Sequence, residues 1–353
     1  MASVTVSKFK STLPELKIPE LQELFKISKM PLMPTSFSIE IKGVNTSVVN
    51  AIRRVLIDEI QWYALTVEDQ VIEPSSDSFM IPEFVHRRIE MLRLRPGITS
   101  AMVKSLKFCL NVSNMSPEVK YVYAGDIQVV SPVKLDGPIF NPTTEIAFLQ
   151  PGKSINIKNI YIQYGRGIID GAKYNMGVQC AFKHLDLAEH SDFDMRHKDG
   201  SALHASGYVE KCTVTKPMHH QLSGVIPATL PSTDIKKILS DVCDNIRDRL
   251  RNINSVLSEK QTSTITYSAV LIGDNLTKSV LTIPGETPTI GMLLVQYTHE
   301  LAPDVSFINY TIHSDKKLIL TLQNLGDTTK LLMSVVEYVI KIFNAIDSGI
   351  KAL

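Results

Sequence analysis

Cysteine is scarce in this 353-residue sequence: Cys109, Cys180, Cys212 and Cys243 are the four present. No two of them form a Cys-x-x-Cys pair, which excludes a zinc ribbon and a thioredoxin motif. They read as reduced, mostly buried thiols of an intracellular protein. An excess of charge is also missing, with 37 Lys and Arg against 36 Asp and Glu, net +1. No global field therefore gathers nucleic acid, and any service to a nucleic-acid machine is expected to run through protein contacts. No stretch nears about 20 consecutive apolar residues and the N-terminus has no apolar signal core, so the expectation is a soluble, unsecreted protein without a membrane partner. The Asn-x-Ser/Thr matches at Asn45, Asn111, Asn275 and Asn309 are then accidental. Gly165-Arg-Gly lacks both a third glycine at dinucleotide spacing and a Gly-Lys-Ser/Thr ending, so it is not a phosphate loop. No Asp-x-Asp-x-Asp triad offers a nucleotidyl-transfer metal site.

What is present is a length sufficient for two or three domains and a 44% hydrophobic fraction typical of globular chains. The organising stretch is Asn45–Ile60. Ser47, or Thr46 or Asn45 before it, can accept a hydrogen bond from a free N–H of a first helical turn. Val48, Ile52, Val55, Leu56 and Ile60 then share one face, while Arg53 and Arg54 point off it as a basic pair. By pattern alone this is equally a core helix with two solvated arginines.

Residues 1–36, lysine-rich and broken by Pro14, Pro19, Pro31 and Pro34, read as a loosely ordered tail in which Leu21, Leu24, Phe25 and Ile27 form at most one docking turn. A short strand over Phe37–Lys42 precedes the organising helix, and β-type residues follow over Trp62–Ile72. Pro74-Ser-Ser-Asp-Ser marks a loop, and Glu83–Leu94 has helical apolar spacing after Pro82. From Ile98 to Phe182 the pattern turns to strands at Ser105–Val112, Tyr121–Tyr123, Ile127–Val130 and Ser154–Ile162, with loops at Asp136-Gly-Pro and Gln150-Pro-Gly. His184, His190, His197, His204, His219 and His220, with Asp186, Asp192 and Asp194 among them, raise a zinc or iron site. Without a His-x-x-x-His helix or a His-Glu-x-x-His motif, a polar surface excursion is the expectation, and no cofactor is assigned. Gly207–Thr215 reads as a returning strand.

Asp234–Leu257 predicts a long amphipathic helix, with Ile235, Leu239, Val242, Ile246, Leu250, Ile253 and Leu257 on a near-heptad stripe suited to another helix. Ser258–Thr264 is polar and reads as a linker. A compact α/β unit follows: strands at Thr266–Ile272 and Ser279–Ile283, a helix at Thr289–Leu301, strands at Val305–His313 and Lys317–Leu322, and a closing helix at Thr328–Ser348.

Segments along most of the chain carry a family resemblance. Phe37–Lys42 followed by an Asn/Ser-capped helix with adjacent arginines and a Leu-Ile-Asp-Glu-Ile exit resembles the opening of alpha-type assembly subunits of multisubunit RNA polymerases. Phe84 with His86-Arg87-Arg88 matches a further family segment in part, Glu90 and Arg93 standing where glycine and proline are usual. Leu149-Gln-Pro-Gly-Lys-Ser-Ile and Gly165-Arg-Gly-Ile-Ile-Asp-Gly-Ala-Lys-Tyr-Asn are similar to signatures of the β-rich insertion in that family, here without its metal-binding cysteines. Ile283-Pro-Gly-Glu-Thr-Pro-Thr-Ile-Gly-Met-Leu-Leu and Pro303-Asp-Val-Ser-Phe-Ile-Asn-Tyr resemble the small partner, the eleventh-subunit type, with Thr289 as helix cap and Gly291 as a close-packing point. Fusion of the two halves resembles the arrangement in large cytoplasmic DNA viruses of the African swine fever virus type.

The resemblance implies an α+β fold: two alpha-type dimerisation domains forming an intrachain pseudo-dimer, with a β-rich insertion in the first half. The implied division is 1–36 as extension, 37–72 with 206–257 as the first dimerisation domain, 73–205 as insertion, 258–264 as linker and 265–353 as the second dimerisation domain. It implies a non-catalytic assembly platform of a DNA-dependent RNA polymerase. Arg53 and Arg54, undistinguished, would dock the second-largest subunit. Val48, Ile52, Val55, Leu56, Thr289, Ile290, Gly291, Leu294, Val335, Val339 and Ile342 would line the dimer interface. Implied partners are the second-largest and largest subunits and small tenth- and twelfth-type subunits, with DNA and RNA met only through the complex. The implied location is intracellular, for a virus the host cytoplasm and the virion. An independent histidine/aspartate enzyme or a free nucleic-acid-binding module would leave the paired halves unexplained.

Overall fold

The computed structural model describes residues 4–12, 35–68, 82–94, 100–130, 139–185, 217–227, 235–259, 264–272 and 276–353. The readings made for Leu21–Ile27, the loops at 74–78 and 136–138, the histidines and aspartates between 186 and 204, and Gly207–Thr215 fall outside these residues.

The first sheet is antiparallel, in the order β1 (Thr5–Thr12), β2 (Thr35–Lys42), β10 (His219–Ile226), β9 (Gln179–His184). Alternation buries Phe37, Ile39 and Ile41 of β2 on one face. Two expectations are corrected here. A paired strand lies within 1–36, because Thr5–Thr12 supplies the hydrogen-bond partner of the β2 edge. And β9, placed by sequence with the β-rich segment, pairs with β10 from Gln179↔Val225 to His184↔His220.

A second sheet has the order β3 (Gln61–Val67), β8 (Ser154–Arg166), β4 (Lys107–Ser113), β6 (Ile127–Val129), beside a pair formed by β5 (Lys120–Tyr123) and β7 (Glu145–Leu149). Its core joins Leu65, Phe108, Leu110, Ile157 and Ile160 to Val85 and Ile89 of α2 (Pro82–Glu90). The strand expected over Trp62–Ile72 ends at Val67 and pairs with β8, Trp62 opposite Gly165, so it does not extend the first sheet. Short helices α3 (Ser100–Ser105) and α4 (Gly167–Asp170) flank β4 and β8.

The third sheet is antiparallel, in the order β11 (Thr266–Ile272), β12 (Leu276–Pro284), β14 (Lys317–Leu325), β13 (Phe307–Ile312), with α6 (Pro288–Leu301) in the crossover from β12 to β13. It is closed by α7 (Thr328–Ala352), which Asp327 caps by accepting from the Thr329 and Lys330 amides.

Helix α1 runs Thr46–Arg54, and Asn45 caps it, its Oδ1 accepting from Ser47 N at 3.1 Å and Val48 N at 3.4 Å. The helix expected to continue to Ile60 widens instead into a π-helical turn over Val55–Glu59, closed by Ile60 N–H on Val55 O at 2.9 Å. Val55, Leu56 and Glu59 of this turn are buried, and Ile60 leaves in extended conformation.

One continuous hydrophobic cluster joins these layers. It runs from Ile39 and Ile41 through Ile52 of α1 and Leu250 of α5 (Ile235–Glu259) to Leu294 of α6, Phe343 of α7 and Leu320 of β14. Helix α5 packs along α7, and α1 packs against α6.

Candidate functional site

Helices α1 and α6 run antiparallel, each end of one meeting the opposite end of the other. At the start of α1, Asn45 Nδ2 donates to Glu300 Oε1 at 2.9 Å, near the end of α6. At the other end Glu59, with no exposed surface, accepts from Arg249 Nη1 at 2.9 Å, from Thr287 Oγ1 at 2.8 Å and from Thr289 Oγ1.

Thr287 is the cap residue of α6, yet its hydroxyl makes no bond to the helix's own amides. That hydroxyl is engaged by Glu59 instead, and Pro288 fills the first turn where a missing N–H is harmless. The Glu59 carboxylate thus sits by the positive end of α6, bonded to the hydroxyls of Thr287 and Thr289. The expectation that Thr289 caps the helix is corrected: its side chain turns to Glu59.

Arg249 of α5 ties the site together. It bonds Glu59 and Glu286, and its Nη2 donates to Thr287 Oγ1 at 2.8 Å. Arg54 Nε stands 3.4 Å from Glu59 Oε1 with its side chain 30% exposed, so two guanidinium groups balance two carboxylates. Burial by itself would raise the Glu59 pKa, but the Arg249 charge and the bonds from Thr289, Thr287 and Arg249 outweigh it and hold the carboxyl below the ordinary glutamate range. Burial likewise works to lower the Arg249 pKa, and Glu286 and then Glu59 raise it above the ordinary value. A dry cluster of this kind adds little net stability but is severely destabilised when one member is lost.

A second polar lock joins α5 to α7. Asp347 accepts from Ser240 Oγ at 2.6 Å and Arg247 Nη2 at 2.8 Å, and Arg247 Nη1 reaches Asn344 Oδ1 at 2.7 Å. The Gly165-Arg-Gly motif ends at a junction: Arg166 Nη2 donates to Gly285 O at 3.1 Å, and Lys316 Nζ donates to Ile169 O at 2.8 Å.

Among the residues picked from sequence, Val48, Ile52, Val55, Leu56, Ile290, Leu294, Val335, Val339 and Ile342 are all buried in the shared cluster. Gly291 faces its own sheet, where a Cβ would stand 2.7 Å from Tyr310 Cγ and 2.8 Å from Leu318 Cδ1. Arg53 Nε donates to Asn50 Oδ1 at 3.0 Å and is half-buried, whereas Arg54, expected to point away, leans onto Glu59. Sequence reasoning missed Glu59, Arg249, Glu286 and Thr287, although the first three are charges bordering apolar stripes. It also placed His220 in a surface excursion. His220 is fully buried in β10, its Nδ1 2.9 Å from His184 Nδ1 and its Nε2 3.0 Å from Val44 O. Among the described residues, no group of three or more His, Cys, Asp or Glu is placed to hold a metal.

No protein-family model matches the chain. The DNA-directed RNA polymerase RPB3-11 homolog of African swine fever virus, from a Kenyan pig isolate, is 35% identical over 342 residues, which is 93% of this chain and 91% of that protein. This chain belongs to the RPB3-11 family of DNA-directed RNA polymerase subunits. The RPB3-11 homolog from a South African tick isolate is 34% identical over 345 residues, 94% of this chain and 92% of the relative. The archaeal polymerase subunit Rpo3 of Pyrococcus furiosus is 29% identical over 145 residues, 40% of this chain and 52% of its own length. As an RPB3-11-type protein the chain is a non-catalytic assembly subunit, part of the polymerase enzyme without catalysis attributed to it.

Proposed function

We propose that this subunit is an intrachain pseudo-dimer, one half built on α1 and α5 and the other on α6 and α7, with the second sheet as the insertion between β2 and β9. This clasp is the platform that docks the second-largest polymerase subunit and nucleates the core. The observation that carries the reading is the antiparallel α1–α6 contact with Glu59 seated at the start of α6. Two halves held by buried charges and a continuous core present fixed outer faces to larger partners, and their fusion keeps them at high effective concentration.

Arg53 and Arg54 form the docking point on the outer side of α1, and both keep partly exposed side chains. The largest subunit and small tenth- and twelfth-type subunits are further partners, and nucleic acid is met only within the complex. No helix among the described residues is long and apolar enough to cross a membrane. The viral origin of the relatives supports work in the host cytoplasm and packaging in the virion.

Co-expression with the second-largest subunit tests this reading. R53E, which spares the Arg54–Glu59 pair, should keep the circular-dichroism signature of the folded chain and lose the partner in a pull-down. Unchanged recovery of the partner would remove Arg53 from the docking site.

A further inference from the structure

Strand β1 pairs with β2 from Thr5↔Lys42 to Thr12↔Ser36, with one extra residue between Ser7 and Lys10. Lys8, at φ 52, sits in the left-handed region and forms that bulge. In a regular strand Val6 and Phe9 would face opposite sides; the inserted residue brings both to the side that meets the helices. Both are partly buried against the main core, as is Val4 just before the strand, while the other residues of Thr5–Thr12 are exposed.

Their contacts belong to two helices far apart in the chain. Val6 lies on Gly349 of α7, where a Cβ would stand 2.8 Å from Val6 Cβ and Cγ2. The Phe9 ring lies under Lys236 Nζ of α5, 5.4 Å from the ring centre. On the sheet side Lys8 Nζ is 3.2 Å from Glu40 Oε2, and Ser36 Oγ donates to Thr12 O at 3.1 Å.

We infer that Thr5–Thr12 is a strap that fastens the end of α7 and the start of α5 to the first sheet. It also closes the β2 edge, which would otherwise offer unpaired amides and carbonyls to a strand of another molecule. Lys8 and Lys10 make β1 itself a poor template for further pairing. Gly349 is the seat of the latch: a helix interior favours alanine over glycine, but only glycine lets Val6 approach.

Hydrogen exchange on the full chain tests the strap, with V6D/F9D to detach it and G349A to block its seat. The amides of Ser36–Lys42 that face β1, and those of Ile346–Ile350, should exchange roughly tenfold faster or more in V6D/F9D, while α6 keeps its protection. G349A should release Thr5–Thr12 in the same way. Unchanged exchange at 346–350 in V6D/F9D, or unchanged protection of β1 in G349A, overturns the inference. Loss of protection in α6 as well would make β1 part of the global core and overturn it too.

Discussion

Glu59, in the π-helical turn that ends α1, accepts a hydrogen bond from Thr289 in the first turn of α6, 230 positions further along the chain. The hydroxyls at the start of one helix are thus held by a buried carboxylate from another part of the polypeptide. Glu59→Gln should lower the unfolding free energy by about 3–5 kcal/mol, because it leaves Arg249 with one buried charge partner fewer. Thr289→Val, which removes a single bond to a charged group, should lower it by about 1.5–3 kcal/mol. Urea denaturation measures both, and a Glu59→Gln protein as stable as the parent would reject the seam as a structural lock.

Acid should open the same lock. Glu59 and Asp347 both have folded pKa values below their ordinary 4.5 and 3.8, so each contributes stability above those values and loses it as pH falls through the folded value. For Asp347 burial works against the shift, and Lys351, Ser240 and Arg247 overcome it. Asp58 and Asp241 run the other way, raised chiefly by burial, and so offset part of the loss. Urea midpoints taken from about pH 7 down to about pH 3 should fall most steeply below the ordinary carboxylate range, with a shallower fall in Glu59→Gln. An identical slope in the two proteins would show that Glu59 is not the group being titrated.

Gly291→Ala raises helix propensity by about 1 kcal/mol but drives a methyl group into Tyr310 and Leu318. Overpacking of about 1–3 kcal/mol should win, lowering the melting temperature. A thermal melt unchanged or raised would mean that β13 and β14 give way freely.

Asp347→Ala should destabilise by about 3–5 kcal/mol, since Arg247, 8% exposed, would keep only the half-exposed Asp244 as ionic partner. Asp248→Ala, on the exposed face of the same helix, should stay within about 0.5 kcal/mol of the parent. Chemical denaturation of the two variants side by side checks the contrast.

Periodicity made the helices and most strands legible, because their burial is set by local spacing: the stripe from Ile235 to Leu257 and the alternation of β12 and β14 needed no tertiary knowledge. Positions fixed by distant partners were not legible. Glu59 carries no signal of its own, and its burial goes with Arg249 and two threonines that no spacing connects to it. The π-helical turn hides in a run that scores as ordinary helix, and β1 hides in a lysine-rich segment whose pairing is decided by the β2 edge. The pairings of β3 with β8 and of β9 with β10 were not legible, because β-type composition does not say which neighbour a strand will choose. The buried His220 was misplaced for the same reason, its partners being His184 on β9 and Val44 in the bend after β2.

Cutting the chain at a protease site engineered into residues 260–263, between α5 and β11, tests the clasp itself. After complete cleavage under native conditions the two fragments should co-elute as one particle of the uncut size on gel filtration. Elution as separate species would contradict an account in which α1 with α5 and α6 with α7 hold the halves together.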